Sequence, residues 1–228
     1  MERDTCLRRY CCGLVWVACM LATCAAQTPV PVEQEPFHQV LLKNEDVVVI
    51  RATLAPGEQT AYHIHSCDRA GVELAASTTT SQKLGEPEAK PESGSAGEVF
   101  SSSCQDQPLI HRVHNVGSTT MDVIDLELLH RPVNPSLMAA GPVAAENPSV
   151  RVYKWDIEPG KATAMHTHVR PYVIVVVTAM QLKMTAPDGQ FSAEQVKTGD
   201  FHWAPVSVTH SLANEGKTEG QIVEFELK

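Results

Sequence analysis

The chain is predicted to be all-β, built as two tandem small antiparallel barrels or sandwiches. Two observations predict this. The segment LAPGEQTAYHIH at 54–65 returns 103 residues later as IEPGKATAMHTH at 157–168, and VIDLEL at 123–128 returns 99 residues later as IVEFEL at 222–227. Two matched blocks in the same order mark an internal duplication, which sets the architecture before any single element is assigned. The second observation is the apolar pattern: β-branched or alternating runs at 47–50, 173–177 and 222–227, separated by Pro-Gly, Asp-Gly and Gly-Asp turn signals, with no long helical period.

The first 26 residues read as a targeting segment. Arg8 and Arg9 precede an apolar run over 10–24, which ends in small residues before Gln27. A basic head, a short apolar middle and a small-residue end match a secretory signal peptide, and the run is short for a membrane span. Cys24 and Ala26 stand at the positions that govern cleavage, and Cys24 is also a candidate lipid anchor through a lipoprotein-type site. Periplasmic or secreted localisation follows as an expectation. Five of the seven cysteines lie in this segment, so export leaves Cys67 and Cys104 as an invitation to a disulfide.

The first unit spans 37–130, with rough punctuation at 85–97 (GEPEAKPESGSAG) where the second unit has a turn and a strand. A mobile loop is expected there. Residues 131–148, rich in Pro, Ala and Asn, read as a linker, and 149–228 form the second unit. The offset between the blocks changes from 103 to 99, so the first unit carries four extra residues between its second and third motif histidines.

The chain carries 18 Lys and Arg against 27 Asp and Glu, a net −9, and the leader is itself weakly positive. With no basic stripe, a nucleic-acid partner is not expected.

The recurring residues resemble the two sequence motifs of the cupin superfamily, over nearly all of the chain after the leader. Gly57 leads at the family spacing to His63 and His65, and Gly160 to His166 and His168. Gly199, Pro205, His210 and Asn214 fit the second motif, with Ser207 where Gly is usual; His111 and Asn115 fit it less closely in the first unit. The resemblance implies a bicupin with a RmlC-like jelly roll in each half. The chemistry is independent of the name. Histidines at i and i+2 on a strand share one face. A third from a neighbouring strand completes a set suited to Fe, Mn, Zn, Ni or Cu, with positions left open. The expected metal residues are therefore His63, His65 and His111 in one unit and His166, His168 and His210 in the other; the bland alternative is that a site has decayed into buried, hydrogen-bonded histidines.

One departure stands out. The family's carboxylate falls four or five residues after the second His, where this chain has Arg69 or Ala70 and Tyr172 or Val173. A neutral three-histidine centre is therefore expected. Such centres occur in the superfamily, including its dioxygenases, and would favour an anionic ligand. By the resemblance, Tyr172 and Arg69 project near the metal. Tyr172 is the candidate catalytic residue and Arg69 the candidate anion contact, unless both are rim residues with solvated tips. His202 and Trp203 face opposite ways, so at most one lines a cavity. The resemblance also brings Cys67 and Cys104 to neighbouring loops, where they would pair or stay reduced. Edge strands of such barrels can pair between chains, which makes a homodimer one candidate assembly. The functional expectation is an exported metal-binding bicupin acting on a small organic anion by oxidation or isomerisation; the alternative is a non-catalytic metal- or ligand-binding protein.

Overall fold

The structure, a computed structural model, describes residues 28–132 and 140–228. The leader, with its cleavage site and Cys24, lies outside the described residues, as do 133–139 of the expected linker. Each unit is a pair of antiparallel sheets. In the first, the strands run in the order Val30–Pro31, His63–His65, Leu109–Asn115, Ser77–Lys83, Glu92–Gly94, facing the order His38–Lys43, Val47–Leu54, Met121–Leu128, Asp68–Glu73, Val99–Ser102. The second repeats this plan: His166–His168, Val208–Asn214, Met180–Thr185, Phe191–Val196 against Val143–Glu146, Val150–Ile157, Gly220–Leu227, Tyr172–Thr178, Phe201–Ala204. The duplication read from the sequence is thus a duplication of fold.

Three details differ from the sequence expectation. Residues 92–94 pair with 77–79, because Ser77, Thr78 and Thr79 leave an edge for them, so the segment expected as a loop contains a strand. Arg131 is tied to the first unit by Asp68 (2.7 Å) and Asp106 (2.5 Å), and Val143–Glu146 joins the second unit's sheet. Val30–Pro31 adds a parallel edge beside His63 and Ile64.

The larger sheets of the two units pack on each other. Val47, Val49, Leu126 and Leu128 of the first interlock with Val150, Val173, Val175 and Phe225 of the second in one buried cluster. This explains why central strands such as VVVI at 47–50 are apolar on both faces rather than alternating. Val48 and Ile50 fill the first barrel, while Val47 and Val49 meet the other unit. A polar seam registers the two: Asn147 Nδ2 donates to the Arg69 carbonyl (2.9 Å), and Ser149 Oγ donates to Asp68 (2.7 Å). Cys67 and Cys104 are both free thiols, so the pairing expected from the resemblance is not formed; Cys104 Sγ lies instead 3.6 Å from Ser102 Oγ. Among the described residues no helix is long and apolar enough to cross a membrane.

The motif asparagines are structural. Asn214 Nδ2 donates to the carbonyls of Ile157 (2.9 Å) and Thr218 (2.7 Å), and its Oδ1 accepts from Gly216 N (2.9 Å). Asn115 makes the same three bonds to Leu54, Thr119 and Gly117. Asn214 is fully buried. Asn214→Ala strands two carbonyls and an amide, so a loss of about 3 kcal/mol is expected in chemical denaturation, with each orphaned buried group costing about 1–3 kcal/mol. A loss below about 0.5 kcal/mol would show that water replaces the side chain.

Candidate metal centre

The first histidine strand of each unit is aimed by the turn before it. Pro56-Gly57 and Pro159-Gly160 form turns closed by Glu58 N to Ala55 O and Lys161 N to Glu158 O, each 3.0 Å. Gly57 and Gly160 have φ of 83° and 72°, the left-handed region that favours glycine at the third position of a type II turn. Two residues before each first histidine a carbonyl takes its Nδ1 proton: Ala164 for His166 (2.9 Å) and Ala61 for His63 (3.0 Å). That leaves Nε2 without a proton and directed inward, the tautomer a metal ligand needs.

In the second unit His166, His168 and His210 come together, His166 lying opposite His210 on paired strands. A fourth donor that sequence reasoning missed joins them. Glu224, fully buried, sits with its carboxylate 3.5 Å from His166 Nε2, 3.2 Å from His168 Nε2 and 3.2 Å from His210 Nε2. The three Nε2 atoms and Glu224 Oε1 are nevertheless buried without hydrogen bonds. Donors about 2.1 Å from one ion lie about 3.0–3.4 Å apart, for octahedral to tetrahedral angles. Three orphaned imidazole nitrogens, each 3.2–3.5 Å from the Glu224 carboxylate and all within 4.8 Å of one another, fit a metal, and a set of three imidazoles and one carboxylate suits a divalent transition ion. The neutral three-histidine centre expected above is therefore corrected for this unit. The carboxylate is present, supplied by the last strand instead of by the residues after the second histidine.

The supporting groups are equally defined. Glu226 accepts from Val169 N (2.7 Å) and Tyr153 OH (3.1 Å) and lies 3.6 Å from His168 Nδ1. Trp155 Nε1 donates to Glu224 (2.6 Å), and its ring stacks on His166 at 4.8 Å. Burial opposes charging His168, but its contacts with Glu224 and Glu226 win and push it up to about 9. The same contacts, against burial, hold Glu224 well below the usual carboxylate range. Tyr172 lies where the sequence placed it, beside the centre, but as a buried ring stacked on His168 at 4.1 Å. Burial, then the Glu224 charge, raises its phenol, which stays protonated.

In the first unit His63, His65 and His111 also meet, around a cavity of about 140 Å³. Burial first, with the Arg69 charge adding, lowers His63 to about 4 and His111 to about 2, so the imidazoles are neutral. His65 is bonded at both nitrogens, to Glu127 (2.5 Å) and His111 Nε2 (3.1 Å). Arg69 lines the cavity, and Asp125 holds its guanidinium through Nη2 (2.5 Å) and Nε (3.2 Å), so the residue expected as an anion contact already carries an internal carboxylate partner. Asp125 and Glu127 are the repeat partners of Glu224 and Glu226. The signal for all four was in the sequence: carboxylates two apart in otherwise apolar strands, which must share a face.

Glu73 lines this cavity, and burial pushes its carboxyl up to about 7 against an ordinary 4.5. The unfolded chain ionises it more readily, so the fold weakens as pH rises through that window. Glu73→Gln is expected to raise the melting temperature relative to wild type at pH 8 and not at pH 4.5. Equal shifts at both values would rule the effect out.

A cavity of about 550 Å³ opens where the second barrel meets the first unit. Ile174, Val176, Leu182 and Val196 line it, with His202 and Arg51 among its polar groups. Of the pair 202–203, His202 thus faces the cavity, whereas Trp203 packs into the core between the units. None of the four metal donors is in its wall, but Ile174 is the ladder neighbour of Glu224, so cavity and centre share a strand pair.

No family model matches the chain. It is 33% identical over 86 residues to the β-alanine degradation protein BauB of Pseudomonas aeruginosa, covering 38% of this chain and 90% of that one. Its fold matches the cupin 2 conserved barrel domain protein of Leptotrichia buccalis with a TM-score of 0.51, at 12% identity, across 88% of this chain and 92% of that one. The chain belongs to the cupin superfamily. As a bicupin it also shares its fold with a salicylate 1,2-dioxygenase from Pseudoaminobacter salicylatoxidans in complex with gentisate (TM-score 0.55, 15% identity, 86% and 75% of the two chains). Cupins of this architecture therefore include enzymes that handle small molecules. This bicupin departs from the family pattern in the origin of its carboxylate.

Proposed function

We propose that this bicupin is a metal-dependent enzyme whose second barrel holds one divalent transition ion on His166, His168, His210 and Glu224 and which oxidises or isomerises a small organic anion. The observation that carries the proposal is the set of three buried imidazole nitrogens without hydrogen bonds that converge on the Glu224 carboxylate. A divalent ion with one carboxylate keeps net positive charge, which supports an anionic substrate. When bound, the ion supplies Lewis acidity and positions for substrate oxygen. The chain's own residues do the rest. Ala164 and Glu226 hold the His166 and His168 rings in place, Trp155 orients Glu224, and Tyr172 excludes water from one face of His168. The apolar cavity beside Ile174 suits the organic body of the ligand. The leader supports an exported protein, periplasmic or secreted.

The burial of all four donors also favours a second reading, in which the barrel holds metal without turnover. Reconstitution with Fe, Mn, Zn, Ni and Cu, followed by a panel of small organic acids, separates the two. Turnover that requires metal supports the enzyme; stoichiometric metal with no turnover of any acid supports the binding protein. A protein that takes up none of the five metals sinks both.

A further inference from the structure

The two barrels differ at four equivalent positions that touch one another. Ladder pairing fixes the equivalence: Arg69 lies opposite Glu127 as Tyr172 lies opposite Glu226, and Gly71 opposite Asp125 as Ile174 lies opposite Glu224. On the neighbouring strand Phe100 pairs with Gly71 where His202 pairs with Ile174. Arg69, Gly71, Phe100 and Asp125 thus stand in for Tyr172, Ile174, His202 and Glu224.

These four changes form one device. The Arg69 guanidinium is bonded twice to Asp125 and lies 4.9 Å from the centre of the Phe100 ring. Gly71 makes room for that ring: a Cβ there would sit 2.2 Å from Phe100 Cζ. Asp125, the counterpart of the metal-facing Glu224, is turned to the arginine. With no carboxylate reaching all three histidines, His65 and His111 bond to each other, and no histidine nitrogen of this barrel is among the orphaned buried atoms.

We infer that the first barrel carries Arg69 as a built-in cation in place of a metal, so that the chain binds one ion, in its second barrel only. A guanidinium inside the barrel repels a second cation and engages the carboxylate that would have held it. The inference extends the proposed function, since it assigns the two sites different chemistry, and its test separates the two claims.

The experiment is elemental analysis of the full-length protein after loading with Mn or Zn and desalting, for wild type, His63→Ala, Glu224→Gln and Arg69→Met. Wild type is expected to hold one ion per chain, His63→Ala the same and Glu224→Gln almost none. Arg69→Met releases Asp125 toward the histidines and is expected to hold two. Two ions in wild type, or an ion in Glu224→Gln that His63→Ala removes, would overturn the inference. So would an Arg69→Met protein that shows the wild-type circular dichroism spectrum and still holds one ion. Wild type without metal would instead overturn the metal reading of the second barrel. If Arg69→Met does not fold, the wild-type, His63→Ala and Glu224→Gln counts still decide.

Discussion

Glu224→Gln is expected to weaken metal binding by the second barrel by about 100-fold or more, and to remove any turnover with it. Changes to groups that merely support metal ligands cost about 10–100-fold in affinity. Glu224 is the one charged donor of its set and lies within 3.5 Å of all three histidines. The amide keeps the size and one oxygen, so packing survives while the charge is lost. Competition with a chromophoric chelator measures the affinity. The melting temperature adds a second readout: metal at 100 times the wild-type dissociation constant stabilises wild type by about 2.7 kcal/mol, and a variant that binds 100-fold more weakly by about 0.4 kcal/mol or less. An unchanged affinity would show that the carboxylate is no ligand and return the site to three histidines.

The second large effect is in the first barrel. Asp125→Asn leaves the Arg69 guanidinium buried with half its partner, and a loss of about 3–5 kcal/mol is expected, the usual cost of breaking a buried ion pair from one side. The side chains of this pair are 14% and 6% exposed. Arg51 and Asp122 make a pair of the same geometry, with contacts of 2.8 and 2.6 Å, but at 33% and 17% exposure. Asp122→Asn is accordingly expected to cost about 1 kcal/mol or less, because solvent screens what it removes. Urea denaturation of the two variants makes the comparison. Equal losses would mean that Arg69 is solvated and does not act as an internal cation.

These two sites show how far the sequence could be read. The histidines were legible because a strand alternates strictly. His-x-His with a third His at matched distance in both halves leaves few arrangements, and in each half the structure brings the three together. The turns at Pro56-Gly57 and Pro159-Gly160 were legible for a similar local reason, since proline presets one angle and glycine permits the next. Asp125, Glu127, Glu224 and Glu226 were visible as a period-two acidic pattern, but which carboxylate meets which histidine depends on strands some 60 residues apart in the chain. Arg69, expected as an anion contact, is paired with Asp125, and Tyr172, expected as a catalytic residue, is stacked on His168, and neither partner could be read from one strand alone.

Sequence alone determined the duplication, the all-β character of each unit, the turns that aim the histidines and the identity of the histidines, because each rests on spacing within one strand or one turn. Tertiary structure alone decided three things: that the two larger sheets pack face to face, that the last strand supplies the carboxylate, and that the equivalent carboxylate in the first barrel is held by Arg69. All three depend on which strands become neighbours and in what register. Register is a property of the whole packed sheet, set by the burial of both its faces at once, and no single segment carries it.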